Sequence, residues 1–375
     1  MAEENPPLLK EIFNRDRLLH IASETSAVSS GFDAERFMER ATENLAELSI
    51  MQRLRQVATS LHQCLPGSFA DNIGTLYELA PRINHGFASI ALPEYVALYG
   101  QDHFDLSMEA LRYFTRFGSS EFAIRPFLAR DLSRTLAVME GWARDDNEHV
   151  RRLASEGCRP RLPWSFQLRE LVADPQPVAG ILDALNGDPS LYVRKSVANH
   201  LNDITKDHPG WVLSRLAQWP LEEPHTRWIA RQALRTLIKR GDRDALAVIG
   251  AGARPRVRVD SFSVAPAAIS LGERIRLGAS IVSTSREAQR LVIDYAVHYV
   301  KKSGAPSRKV FKLKEIDIPP AGICNLSAGQ QIRDFTTRKH YAGHHRIELM
   351  VNGEVLAECG FELAIRDDGF NPPQT

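Results

Sequence analysis

Cysteine is scarce and scattered: four residues in 375 (Cys64, Cys158, Cys324 and Cys359), with no Cys-x-x-Cys pair and no Cys/His cluster at zinc spacing. This argues against a disulfide framework and a structural zinc site, and the thiols read as reduced and mostly structural. Long hydrophobic runs are missing too. No apolar segment approaches the ~18 residues that could span a bilayer, and the start MAEENPPLLK is acidic, with no basic region leading an apolar run. A soluble, cytoplasmic protein is expected. Net charge is almost absent, +1 with a pI near 7.8, which excludes a protein that coats nucleic acid indiscriminately. There is no His-Glu dipeptide, so a di-metal hydroxylase built from His-Glu pairs on successive repeat helices has no ligands. Tryptophan is missing from the last third of the chain, since all five (Trp142, Trp164, Trp211, Trp219, Trp228) fall between residues 142 and 228.

What is present begins with enough apolar residue, 43%, to bury a real core, and enough length for two domains. Residues 145–233 repeat one pattern three times: a polar or proline-marked turn, then a helix opened by an arginine. The copies are DDNEHVRRLASEGC (145–158), GDPSLYVRKSVANHL (187–201) and EPHTRWIARQAL (223–234). Aligning Val150 with Val193 and Thr226 gives intervals of 43 and 33 residues, the range of paired-helix repeats. Such repeats stack into a curved solenoid with one concave wall. Upstream, a short helix is expected over 8–21, a Ser/Thr-rich loop to 32, and a long amphipathic helix over 34–65. Further helices run to about residue 250, with boundaries at Pro66-Gly67, Ala80-Pro81, Gly118-Ser119-Ser120, Asp174-Pro175, Asp188-Pro189, His208-Pro209 and Glu223-Pro224.

The texture changes at Ala251-Gly252-Ala253-Arg254-Pro255. Residues 257–264, 274–282, 290–300 and 308–318 read as strands, and 346–351 and 354–363 flank an Asn352-Gly353 pair that suits a two-residue type I′ turn. Tyr341 stands where immunoglobulin-type sandwiches often place a tyrosine corner, but no tryptophan is available for their buried one. Cys324 and Cys359 could lie close in space. The expected architecture is mostly α: a HEAT-like helical-repeat solenoid over 1–253, followed by a small immunoglobulin-like β-sandwich with a C-terminal tail over 254–375.

Charge is segregated despite the neutral total. From residue 191 to 240 nine basic residues, among them Arg194, Lys195 and Arg231, face four acidic ones. A basic strip suffices for DNA, because phosphate contacts supply most of the affinity; the same arginines also fit ordinary solvated helix faces. Trp211 and Trp219 read as helix-packing aromatics. Trp164 follows the rigid basic loop Arg159-Pro-Arg-Leu-Pro163, where an exposed indole suits stacking on a base or sugar.

The segments VRRLASEGCRPRLPW (150–164), DPSLYVRKSVANHLNDITKDHP (188–209) and PRINHGFASIALPEYVALYG (81–100) resemble the AlkC branch of the AlkC/AlkD bacterial DNA alkylation-repair glycosylases, over roughly residues 8–250. The order of helical repeats then immunoglobulin-like domain is similar to a known AlkC arrangement. The resemblance implies a monofunctional glycosylase removing cationic alkylated bases, 3-methyladenine and 3-methylcytosine, from duplex DNA without fully extruding them. It implies double-stranded DNA as partner, a monomer, and no metal, cofactor or membrane.

Methylation at a ring nitrogen leaves the base cationic, so its departure needs anions and an aromatic face beside the developing sugar cation rather than a proton for the leaving group. Asp203, at the end of the LYVRKSVANHLND helix, is the first candidate, and also reads as a solvated helix-end Asp. Glu121 is favoured by the resemblance and also reads as a first-turn Glu suited to the helix dipole. Glu156 is a third candidate. Arg152, Arg159, Arg161, Arg194 and Lys195 are candidate phosphate or lesion contacts beside Trp164 and Arg231, with Arg152 closest to the lesion. A sandwich loop, 303–314 or 333–346, is expected to add phosphate contacts. A non-catalytic repeat scaffold and a DNA-damage-binding protein stand as alternatives.

Overall fold

A computed structural model describes residues 8–335 and 338–365; the acidic start (1–7) and the C-terminal tail (366–375) lie outside the described residues. The chain divides into two compact units, one to Ala233 and one from Leu234.

The regular elements of the first unit are all helices among its described residues, joined by turns and loops. Two upstream expectations change. The opening helix is a 3-10 turn (Leu9–Phe13) followed by a helix from Arg15 to Val28, so much of the Ser/Thr-rich segment is helical. Its hydroxyls are absorbed by backbone, Thr25 Oγ donating to the Ile21 carbonyl and Ser26 Oγ to that of Ala22. The long amphipathic pattern is broken into Ala34–Thr42 and Ile50–Cys64. Asn44 turns the chain with a φ of 50°, and Ser49 with Gln52 forms a capping box that starts the second helix afresh. Apolar spacing persists through the break, so periodicity alone reads it as one helix.

The three repeat copies form the helices Glu148–Glu156, Leu191–Ile204 and Pro224–Ala233, packed in that order. Val150, Val193 and Thr226 are all buried, as the alignment requires. The residue after each does one job three times. Arg151 donates to the carbonyls of Asp145 and Asp146, Arg194 to those of Asp188 and Pro189, and Arg227 to those of Leu221 and Glu222. Each repeat arginine thus ties its helix to the turn that precedes it.

Among the described residues the second unit holds eight strands: β1 (Val257–Ala265), β2 (Ala268–Ser270), β3 (Arg274–Ser283), β4 (Gln289–Val300), β5 (Pro306–Ile318), β6 (Ile323–Gln331), β7 (Gly343–Val351) and β8 (Glu354–Ala364). They make a three-stranded sheet, β1-β3-β6, and a five-stranded sheet, β2-β8-β7-β4-β5. Period two puts Tyr295, Val297 and Tyr299 of β4 into one core cluster with Ile275, Leu277, Ile347 and Phe361, and Leu291 and Ile293 into another with Ile281, Leu349 and Val351. Asn352 and Gly353, both at positive φ, turn β7 into β8. The Asn352 side chain also accepts from the Val292 amide and donates to the carbonyls of Ala253 and Arg290. Cys324 belongs to the second cluster, Cys359 packs on the first, and all four cysteines are free. At Tyr341 the tie runs through the main chain, its carbonyl lying 3.1 Å from His345 Nε2.

The helices Arg235–Arg240 and Arg243–Val248 belong to this unit, Leu246 and Ala251 packing with Val292 of β4. The composition change at 251–255 therefore marks the approach to the first strand, while the compact unit begins earlier.

Candidate active site

Six charged side chains from the first unit form a chain of alternating sign. Glu121 lies 2.5 Å from Arg152; Arg152 also reaches Glu156 at 3.7 Å; Glu156 holds Arg159 at 2.6 Å; Arg159 contacts Asp203 through both Nε, 2.9 Å, and a terminal nitrogen, 2.8 Å; and Asp203 takes Lys206 at 2.9 Å. Helix geometry supplies the Arg152–Glu156 link at a spacing of four, while Arg159 and Lys206, each three residues on and just past a helix end, fold back onto Glu156 and Asp203. Repeat stacking supplies the long ones, bringing the Leu191–Ile204 helix against Glu148–Glu156.

Glu156 and Asp203 are buried, and Glu121 and Arg152 are largely enclosed. Burial works against the Arg152 charge, yet Glu121 and Glu156 outweigh it and hold the guanidinium above its ordinary range; Arg159 is held up in the same way by Glu156 and Asp203. Glu121 precedes its helix instead of occupying its first turn. Pro126 stands at the second helical position of Arg125–Arg130, which fixes the start there. The freed Glu121 turns back onto Ser119, whose hydroxyl donates to it at 2.9 Å and accepts from Arg152 at 2.9 Å.

Trp164 is 62% exposed and adopts a φ of 65°, a left-handed conformation that is costly for a bulky side chain and tends to mark functional sites. Its ring meets Phe87 edge-on at 6.5 Å and borders a cavity of about 330 Å³ with Phe166, Phe122, Arg55 and Glu94. Trp164 is joined to the six charges through the loop from Arg159. Arg152 lies over the ring of Tyr192, 4.8 Å from its centroid.

The remaining candidates are placed differently. Arg161, on the same loop, pairs at 2.8 Å with Asp207, which lies just past the Leu191–Ile204 helix. Arg194 donates through one terminal nitrogen to two carbonyls of its own turn and lies 5.8 Å from the Trp228 centroid. Lys195 is exposed and Arg231 half-buried. No group of three or more His, Cys, Asp or Glu able to hold a metal occurs among the described residues; each carboxylate of the six-charge chain faces cations instead. Sequence reasoning missed Ser119, Tyr192, Lys206 and Arg125. Lys206 was readable as the partner three residues beyond Asp203, whereas the other three carry no local signal.

Residues 96–237 match the DNA alkylation repair enzyme family, and residues 258–365 match the C-terminal Ig-like domain of the uncharacterised protein YhaZ. The chain is 39% identical over 356 residues to the uncharacterized protein YhaZ of Bacillus subtilis (strain 168), covering 95% of this chain and 99% of that one. It is 57% identical to the solved alkylpurine DNA glycosylase AlkC of Pseudomonas fluorescens, bound to DNA containing an abasic site analog, with a TM-score of 0.93 over 96% of this chain and all of the other. The chain belongs to the AlkC-type DNA alkylation-repair family. All six charges and Trp164 fall within the stretch that matches the repair-enzyme family, and the AlkC likeness extends through the β-domain.

Proposed function

We propose that this protein is a monofunctional DNA glycosylase that excises cationic alkylated bases, 3-methyladenine and 3-methylcytosine, from duplex DNA in base excision repair. The observation that carries the reading is the Glu121–Arg152–Glu156–Arg159–Asp203–Lys206 chain, with an exposed indole on the loop that carries Arg159, in a member of the AlkC-type family. When the N-glycosidic bond breaks, its electron pair leaves with the base, which departs neutral because it began as a cation. The deoxyribose keeps the positive charge. Asp203 and Glu121 stabilise that oxocarbenium-like sugar, and Glu156 between them pairs with both arginines. Water adds at the anomeric carbon and gives up its proton, leaving an abasic site.

Arg152, Arg159, Lys195 and Lys206 are assigned to phosphate or lesion contacts, and Arg152, Arg159 or Lys206, when drawn to a phosphate, uncovers a carboxylate. Trp164 and Tyr192 offer aromatic faces to the sugar or base. Arg161 and Arg231 are assigned to the flanking backbone, and Arg194 contributes through its turn. We place the protein in the cytoplasm, a reading supported by its four unpaired thiols and by a DNA substrate; no helix among the described residues is long and apolar enough to cross a membrane.

The test is chromatographic analysis of bases freed from methylated duplex. The wild type should release 3-methyladenine, and Asp203→Asn and Glu121→Gln should each slow release by roughly 100-fold, the scale seen when one preorganised electrostatic contact is removed, at similar DNA affinity. Unchanged rates in both variants reject the residue assignment. Binding to methylated duplex without any release makes the protein a damage sensor.

A further inference from the structure

Arg125 is fully buried, yet none of its hydrogen bonds goes to a carboxylate. One terminal nitrogen donates to the carbonyls of Gly157 at 2.9 Å and Arg159 at 2.8 Å, and the other donates to the carbonyl of Phe166 at 2.5 Å. Its guanidinium also lies 5.3 Å from the Phe166 ring centroid, and Nε has no partner. Burial pushes its pKa down to about 10, so it remains charged at neutral pH. An enclosed cation without a contacting anion is expensive, and an apolar side chain of similar volume would fill the space at lower cost. The charge is therefore explained by what it holds.

What it holds is the loop 157–166. At one end stands Arg159, the link between Glu156 and Asp203; near the other stands Trp164 in its left-handed conformation. Across this loop the described main-chain bonds are few: Gly157 to the Leu153 carbonyl, Arg159 to that of Glu156, Ser165 to that of Leu162, and Leu168 to that of Pro160. The three Arg125 bonds add the fixed points on either side of Trp164. Arg125 also lies four residues after Glu121, so one short segment supplies a carboxylate and the clamp on the opposing loop.

Resting on the glycosylase reading, we propose that Arg125 is a positioning residue for base excision, its buried guanidinium holding Arg159 and Trp164 in register with Glu121. It touches no substrate and acts only through the carbonyls it binds. A lysine at this position keeps the charge but gathers its three donors on a single nitrogen, and so lacks the two separate terminal nitrogens with which the planar fork reaches Gly157 and Arg159 on one side and Phe166 on the other.

The experiment compares Arg125→Lys and Arg125→Gln with wild type and with Leu128→Ala, a cavity variant of a buried residue on the same helix that serves as a stability control. Single-turnover release from methylated duplex, affinity for the same duplex and amide hydrogen exchange over residues 158–168 are measured for each. Both Arg125 variants should lose at least tenfold in release rate while affinity stays within threefold, and loop exchange should quicken at least tenfold. Leu128→Ala should lose thermal stability with a release rate within threefold of wild type. Wild-type rate and loop exchange in Arg125→Lys overturn the proposal, as does an equal rate loss in Leu128→Ala. If wild type itself frees no base, the glycosylase reading fails, and the exchange measurement still decides whether Arg125 orders the loop.

Discussion

Two buried titratable groups respond to acid in opposite directions. His200 lies behind the charged chain, its Nδ1 2.9 Å from the Ser155 carbonyl, and burial with the Arg159 charge pushes its pKa down to about 4. Its stability contribution is whole above the unfolded value near 6.5 and is lost as pH falls from there toward about 4, because the unfolded chain binds the proton first. Over that window the loss is on the order of 3 kcal/mol. Asp294 of β4 is the reverse. Burial pushes its carboxyl up to about 6 against the pull of Lys312 and Lys239, so the folded chain takes the proton first and ionisation costs stability as pH rises toward 6. Asp294→Asn should therefore raise the Tm of the second unit at pH 7 and lose that advantage by pH 4. Replacing His200 with Gln should flatten the acid-side decline of the first unit. Scanning calorimetry at pH 7, 5.5 and 4 checks both, and a Tm gain in Asp294→Asn that persists at pH 4 rejects the Asp294 account.

At the scale of the element, the repeat arginines separate into holders and candidates for DNA. Arg194 is engaged twice by its own turn, whereas its neighbour Lys195 is exposed. Arg194→Met should cost about 1–3 kcal/mol, the range for losing hydrogen bonds made by a charged group, and leave the salt dependence of DNA binding unchanged. Lys195→Gln should spare stability and lower the log–log salt slope by about one. An altered salt slope in Arg194→Met would place that side chain on DNA. The repeat itself was legible, because Val150, Val193 and Thr226 share a buried position that spacing reveals. So was the Asn352-Gly353 turn, where two positive φ angles need that dipeptide. The break at Asn44 was not, since a capping box inside continuous apolar spacing resembles an ordinary helix. The individual carboxylates could be nominated, but Glu121 meets Arg152 and Arg159 meets Asp203 across stacked elements. Arg125 was invisible because its partners are carbonyls, which every residue carries.

For the whole molecule, the point at which the chain is cut matters. A fragment ending at residue 253 retains two helices whose Leu246 and Ala251 have lost Val292, whereas one ending at Ala233 stops where the first compact unit stops. The shorter fragment should be the more soluble by size-exclusion chromatography; equal behaviour would show that these helices do not need the sheet. Both fragments are expected to release base more slowly than the full chain, with the deficit narrowing at low salt if the missing part supplies phosphate contacts. Full activity at physiological salt would make the β-domain an accessory.

The six side chains lined up around Glu156 carry three positive and three negative charges. Viewed from beyond a Debye length they cancel, so the proposed site exerts almost no pull on approaching DNA. Capture must then be the work of other residues, and ionic strength becomes a dial on encounter that leaves turnover of the bound complex nearly untouched.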